Sequence, residues 1–191
     1  MKNPTQAQVL ELLGRALYTC NVIELQLRWM HKRAGGIWTG KTPEELLKSI
    51  KKAVEKQQKD DKHPLGPIGL DLIDAIYTPR NNKDFKTAKK QQLGVLKIDY
   101  KIQCEGRLLQ ATEKFKKFIE TRNYLVHYFA KDYNLTEPES RTKAYDDLKK
   151  KCKVIKDAAE FFNDDYNLMK RTLQKLKKKL ANELTREAKS V

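Results

Sequence analysis

Apolar positions recur at helical spacing along most of the chain and divide it into four blocks. The first block runs from residue 4 to residue 33, with Asn3 as the predicted N-cap and Gly35-Gly36 as its end. Glu24 interrupts the apolar stripe of this helix, so the acid either reaches water at the edge of the buried face or pairs with an inward cation. Steps of three and four residues define the stripe as Leu10, Leu13, Leu17, Cys20, Glu24, Leu27 and His31.

The second block is predicted to be a shorter helix followed by a loop. Thr42-Pro43-Glu44-Glu45 combines a cap, a proline and first-turn acids, and it opens a helix that runs to about Lys59. Two prolines and two glycines make residues 60–69 a connecting loop. A short apolar element is then predicted from Leu70 to Tyr77.

The third block is predicted to be a helix from Asp84 to about Lys131, bent at Gly94 or Gly106 because it is long for a globular helix. An isolated buried guanidinium costs several kcal/mol. We therefore expect the arginine on its inward stripe to be paired, or to open onto an interface or a cleft. That stripe consists of Leu108, Thr112, Phe115, Ile119, Arg122 and Val126.

The fourth block has the most regular apolar pattern, which predicts packing against one or two antiparallel neighbours, in a bundle or across a dimer. From Thr142 to Glu187 the helix would be roughly 69 Å long at ~1.5 Å per residue. A compact domain of this size is about 40 Å across. The helix should therefore break near Asn163-Asp164-Asp165, or project. Its stripe is Leu148, Cys152, Ile155, Ala159, Phe162, Tyr166, Met169, Leu173, Leu176 and Leu180.

These blocks predict an all-α protein, a bundle with long antiparallel helices in a single domain over residues 1–191. Residues from about 170 to 191 form an amphipathic basic helix that could extend beyond the bundle. Such a helix suits a partner chain, a phosphate backbone or a membrane surface, and we favour the outer face of a dimeric coiled coil.

Charge points to a polyanionic partner. The chain has 191 residues, with 40 Lys and Arg against 25 Asp and Glu, so its formal net charge is +15. The surplus is spread along the chain, which favours nucleic acid through phosphate contact and counterion release. Solubility alone is the alternative.

Other chemistry is limited by the composition. No apolar run long enough for a membrane span or a signal peptide is present, which predicts a cytoplasmic protein without a membrane partner. The three cysteines, Cys20, Cys104 and Cys152, lie far apart and lack metal-ligand spacing. We therefore expect no metal and no cofactor.

One of the three histidines lies in Arg122-Asn123-Tyr124-Leu125-Val126-His127, late in the third block. This stretch resembles the R-x4-6-H signature of the HEPN superfamily, in the form where a polar residue follows the arginine. The resemblance covers roughly residues 5 to 175. It implies a HEPN-like helical bundle that acts as a metal-independent endoribonuclease, a toxin or phage-defence effector that works as a homodimer on RNA.

The resemblance implies Arg122, Asn123 and His127 as the catalytic residues. His127 could serve as base toward a ribose 2′-OH or as acid toward the leaving oxygen, because an unperturbed histidine has a pKa of about 6.5. Arg122 could hold the scissile phosphate, and Asn123 would orient His127 or contact phosphate. Glu24 and Tyr128, which is adjacent to the histidine, are the supporting residues.

Helix geometry constrains this motif. Residues five apart lie about 140° apart around a continuous helix, so either the helix is interrupted at the motif or the active site combines two protomers. We also predict that Glu24 pairs with Arg122 and positions it.

The chain departs from the HEPN pattern at one position. In the HEPN branch regulated by a nucleotidyltransferase partner, a modified tyrosine stands two residues after the histidine, where this chain has Phe129. Regulation of that type is therefore doubtful, although an unrelated antitoxin is compatible with the sequence. Three alternatives stay open: a non-catalytic module that binds nucleic acid or protein, a membrane-surface or coiled-coil scaffold, and an ordinary helix whose Arg122 and His127 are structural.

Overall fold

The computed structural model describes most of both ends of the chain and less of its middle. The described residues are 3–33, 35–40, 45, 48, 52, 73–77, 94–99 and 106–187. In chain order the elements are α1 (Gln6–His31), β1 (Gly35–Gly40), β2 (Gly94–Asp99), α2 (Arg107–His127), α3 (Phe129–Asp132) and α4 (Pro138–Glu187).

The expected all-α class is confirmed, since a bundle of long helices makes up most of the described chain. Helices α1, α2 and α4 are joined in one apolar core, whose largest fully buried side chains include Phe118, Phe162 and Leu148. Among the described residues, no helix is both long enough and apolar enough to cross a membrane.

Helix α1 begins two residues later than its sequence suggests. The N-cap is Thr5, whose hydroxyl accepts from the Gln8 backbone while the Gln8 side chain accepts from the Thr5 backbone. This reciprocal capping box explains why Asn3 is not the cap. The predicted stripe is also shifted, because Leu10 is 49% exposed and the core face carries Val9, Ala16, Cys20, Ile23, Leu27 and Met30.

The predicted helix from Asp84 is wrong at residues 94–99. Residues Gly94–Asp99 form strand β2, which pairs antiparallel with β1 from Gly35↔Asp99 to Gly40↔Gly94. Strand β1 contains Ile37, Trp38 and Thr39, and β2 contains Val95 and Ile98, which are residue types that favour strands. Pairing between distant segments overrides the local helical pattern. The ribbon was not predicted from the sequence.

Helix α2 starts at Gly106, one of the two glycines expected to bend a longer helix. Gly106 is the N-cap and has φ of +73°, a left-handed conformation that side chains oppose. The core face of α2 consists of Ala111, Phe115, Phe118 and Leu125. Arg122 lies four residues after Phe118 and three before Leu125, so it lies on this face.

Helix α4 is continuous, so the predicted break at residues 163–165 is wrong. The helix begins at Pro138 and has 50 residues, about 75 Å at ~1.5 Å per residue. Asp165 is buried and paired, which removes the reason for a break in this polar run. The predicted stripe is confirmed by the core positions Leu148, Ile155, Phe162 and Met169. Whether the end of α4 projects stays a prediction.

Helix α1 runs parallel to α4. Arg141 donates to the backbone oxygen of Pro4 near the start of α1, and Gln26 donates to Asn163 Oδ1 near its end. Both contacts join residues 137 apart in sequence. The two helices therefore advance in the same direction.

Helix α2 is the antiparallel neighbour that the pattern of α4 predicts. Its first residue, Arg107, contacts Asp165, whereas Tyr124 near its other end lies under Lys151. The three long helices therefore run up, down and up.

The second block lies largely outside the described residues, including the predicted loop at 60–69. Positions 45, 48 and 52 are helical, in agreement with the predicted second helix. Residues 73–77 are also helical, and Ile73, Ile76 and Tyr77 are buried, as expected for a short apolar element.

Candidate functional site

The predicted contact between Glu24 and Arg122 is present. Arg122 Nε lies 2.8 Å from Glu24 Oε1 and donates to it. Glu24 is only 14% exposed, because it lies next to the core face of α1, and Arg122 is 33% exposed although it lies on the core face of α2. An acid on one apolar stripe and a base on another thus compensate each other where α1 and α2 meet.

The guanidinium of Arg122 is fixed on one edge and open on another. Its Nη1 donates to Asn123 Oδ1 over 3.2 Å, while Nη2 makes no hydrogen bond to any residue that the structure describes. A guanidinium has five donors in a planar fork, and this geometry suits two oxygens of a phosphate. Arg122 therefore retains donors that a ligand can use.

The ion pair affects the pKa of Cys20, which lies one turn earlier on α1. Burial, and secondly the Glu24 carboxylate, raises the pKa of the Cys20 thiol to about 12, although Arg122 acts in the opposite direction. Cys20 is therefore a protonated core residue rather than a nucleophile.

His127 is the last residue of α2 and is exposed. Its imidazole makes no hydrogen bond within the described part of the chain, and its ring meets the ring of Tyr128 edge-on at 6.3 Å. A histidine that is open to solvent can exchange protons with a substrate, whereas a satisfied core histidine cannot. The core alternative for His127 is therefore wrong.

The helix is not interrupted within the motif. It runs without a break from Arg107 to His127, and the irregular residue is Tyr128, with φ of −119° and ψ of −31°. Arg122 and His127 therefore lie about 140° apart around the axis and about 7.5 Å apart along it. One protomer does not direct both side chains toward one point, and a site shared by two protomers stays a prediction.

Aromatic side chains surround the end of α2. Tyr124 and Tyr128 are stacked with ring centroids 6.5 Å apart, and the Tyr124 hydroxyl donates to Asp132 Oδ2 over 2.8 Å. Removal from water, together with this hydrogen bond, raises the pKa of Tyr124. Lys151 of α4 places Nζ 3.9 Å from the centre of the Tyr124 ring. Tyr128 itself is 53% exposed.

Phe129, at the position of the modified tyrosine in the regulated HEPN branch, is buried. It is 1% exposed and packs on the ring of Tyr133 at 5.1 Å. The side chain therefore belongs to the core, which supplies a structural reason for an apolar residue at this position.

A second charged cluster lies at the far end of α2 and was not predicted. Asp165 is 3% exposed and accepts hydrogen bonds from Tyr77 (2.5 Å) and Arg107 (2.7 Å). The guanidinium of Arg107 also lies 3.8 Å from the centre of the Phe161 ring. Asp165 follows Phe162 by three residues and precedes Met169 by four, so its spacing already placed it on the buried face. This cluster connects the segment 73–77 to the bundle.

Within the described residues no group of three or more His, Cys, Asp and Glu side chains is arranged to hold a metal ion. Comparison with protein-family models, with curated proteins and with solved structures finds no match. The functional reading of this all-α bundle therefore depends on its own residues.

Proposed function

We propose that the protein is a metal-independent endoribonuclease of HEPN type, with a composite site made of Arg122 from one protomer and His127 from another. His127 would take the proton of a ribose 2′-OH, and the resulting oxygen would attack the adjacent phosphorus. Arg122 would stabilise charge on the phosphate oxygens. The P–O5′ bond would then break to leave a 2′,3′-cyclic phosphate, and the proton taken up by His127 would return to the 5′-oxygen, directly or through water. Asn123, which contacts Arg122, would help to position the phosphate.

The observation that carries this proposal is the way in which the guanidinium of Arg122 is held by Glu24. Its Nε is fixed on an almost buried carboxylate while Nη2 has no hydrogen-bond partner among the described residues, so the side chain is preorganised rather than merely neutralised. Preorganised donors cost little reorganisation when charge develops in a transition state. The solvent-exposed imidazole of His127, five residues later, supplies the proton-transfer group.

A cleavage assay in EDTA tests the proposal. The purified protein should cleave single-stranded RNA with EDTA present, because the chemistry uses side chains alone. Arg122→Ala and His127→Ala should each reduce the rate about 100-fold or more, since each removes a group that acts in the transition state. The readout is the rate of product formation on a denaturing gel.

Two control variants match these changes. His31→Ala replaces an exposed histidine at the end of α1, and Arg15→Ala replaces an arginine in an exposed ion pair with Glu11. Both should cleave at the wild-type rate, and all four variants should retain the circular dichroism of the wild type. Cleavage that survives in Arg122→Ala and in His127→Ala would contradict the proposal.

A second candidate is a non-catalytic module that binds nucleic acid or a protein. The observation that favours it is the separation of Arg122 and His127 on one uninterrupted helix. This module would bind RNA without cleaving it, so the same assay separates the two functions. A toxin or phage-defence role, an antitoxin partner and a cytoplasmic location belong to the first proposal and rest on the resemblance that led to it.

A further inference from the structure

Tyr128 is a large aromatic side chain in an unusual place. It follows His127 directly, occupies the irregular residue between α2 and α3, and is 53% exposed. A tyrosine that only served the core would turn its ring inward, as Phe129 does at the next position. The exposed ring lies beside the proposed general base.

The Tyr128 ring packs against the ring of Tyr124. Tyr124 stacks on it with an interplanar angle of 24°, and Tyr124 is in turn held by its hydrogen bond to Asp132 and by Lys151 above its ring. Backbone hydrogen bonds from Lys131 and Asp132 to the Tyr128 carbonyl fix the turn itself. A side chain held in this way loses little conformational entropy when a ligand stacks on it.

Charge beside the ring favours an anionic ligand. Lys131 Nζ lies 5.6 Å from the centre of the Tyr128 ring, near the limit of cation–π attraction, so it can exchange that weak contact for a phosphate. One oxygen of each of two carboxylates in this region already has a partner, since Asp132 Oδ2 accepts from the Tyr124 hydroxyl and Asp147 Oδ1 lies 3.5 Å from Lys151 Nζ.

A second copy of the chain is a poorer occupant. A twofold contact centred on this ring would bring Lys131 and its symmetry mate together, in a protein with a net charge of +15. A nucleotide suits both the Tyr128 ring and the Lys131 ammonium, because its base can stack on the ring and its phosphate can pair with the ammonium.

We propose that Tyr128, backed by Tyr124, is a stacking platform for one base of single-stranded RNA, with Lys131 binding the phosphate of that nucleotide. The inference rests on the proposed function in that it takes RNA as the substrate. It makes Tyr128 a substrate-positioning residue that brings the sugar-phosphate backbone beside His127. Duplex RNA is disfavoured, because its bases are already stacked on one another.

Binding of a fluorescein-labelled ten-nucleotide 2′-O-methyl oligouridine, followed by fluorescence anisotropy, tests the platform without requiring cleavage. Each base stacked on an aromatic ring contributes about 1–3 kcal/mol, so Tyr128→Ala should raise the Kd between about 5-fold and 150-fold. Tyr128→Phe and Tyr128→Trp retain an aromatic face and should stay within about twofold of the wild type. The matched control is Tyr18→Ala, which removes a tyrosine that is 71% exposed on α1 and should leave the Kd unchanged.

The outcomes separate the platform from the ribonuclease proposal. Wild-type affinity in Tyr128→Ala, or an equal loss in Tyr18→Ala, would overturn the platform. Conversion of a wild-type dimer to a monomer by Tyr128→Ala, measured by light scattering, would assign the ring to a protein interface and overturn it as well. An RNA affinity that depends on Tyr128 in a protein that does not cleave would support the platform and contradict only the catalytic proposal. A wild-type protein that binds no oligonucleotide would contradict both.

Discussion

Single residues carry most of what is unusual about this bundle. Glu24 and Arg122 both interrupt apolar stripes, and each would be costly at such a position without a partner. Together they form an ion pair of 2.8 Å between α1 and α2. Two interruptions that look unfavourable separately therefore predicted a contact between residues 98 apart in sequence.

This ion pair should be coupled energetically. In a double-mutant cycle built from Glu24→Ala and Arg122→Ala, we expect a coupling energy of about 1–2 kcal/mol, because the carboxylate is largely removed from water although the guanidinium is partly solvated. Urea unfolding of the wild type, the two single variants and the double variant gives this value.

The exposed pair of Glu11 and Arg15 is the matched control. It has the same chemistry and a similar distance, 2.6 Å, but both side chains are mostly exposed. Its cycle should give a coupling of about 0.5 kcal/mol or less. Equal couplings in the two cycles would show that Glu24 does not hold Arg122.

At the scale of elements, local spacing identified the faces of the helices better than their ends. The stripe of α4 is correct from Leu148 to Leu173, where every member is buried or packs against the core. The strand at Gly94–Asp99 was missed because its partner lies more than fifty residues earlier, and only that pairing makes it a strand. Thr5 was missed as a cap because Asn3, two residues earlier, is also a capping residue type.

Contacts between distant segments also explain why the predicted break in α4 near Asp165 is absent. A polar run at 163–165 suggested a break in α4, yet Asp165 is held inside the bundle by Tyr77 and Arg107. Their partnership depends on the segment 73–77 packing against α4, which local spacing does not reveal. Because it joins separate elements, this cluster should contribute to stability.

The pH dependence of stability should reflect Tyr77. Burial, followed by the proximity and hydrogen bond of Asp165, raises the pKa of Tyr77 above that of an unfolded tyrosine. The unfolded chain therefore loses this proton first as the pH rises above about 10, and the free energy of unfolding falls by up to about 1.4 kcal/mol per pH unit for this group. Tyr77→Phe removes the proton and should flatten the slope between about pH 10 and 12.

Urea unfolding at several alkaline pH values measures that slope. Tyr18→Phe is the control, since the ring of Tyr18 is largely exposed and should not alter the slope. Tyr124 also has a raised pKa, so part of the alkaline loss should remain in Tyr77→Phe. An identical slope in Tyr77→Phe and in the wild type would contradict the account of this cluster.

At the scale of the whole molecule, the net charge and the motif both bear on the proposed shared site. A surplus of 15 positive charges suits a phosphate backbone. The uninterrupted helix separates Arg122 from His127 within a protomer, which is why the proposed site takes the two residues from different copies of the chain. The sequence predicted the two residues and the angle of about 140° that separates them around a continuous helix. Only the structure shows that α2 is continuous through His127.

Mixing two inactive variants tests the shared site most directly. Arg122→Ala and His127→Ala should each be inactive alone, but in a mixed dimer one of the two sites combines an intact Arg122 with an intact His127. When the variants are unfolded together and refolded at equal concentration, half of the dimers should be mixed, and RNA cleavage in EDTA should recover to roughly a quarter of the wild-type rate. A refolded mixture that contains mixed dimers and cleaves no faster than either variant alone would contradict a site shared between protomers.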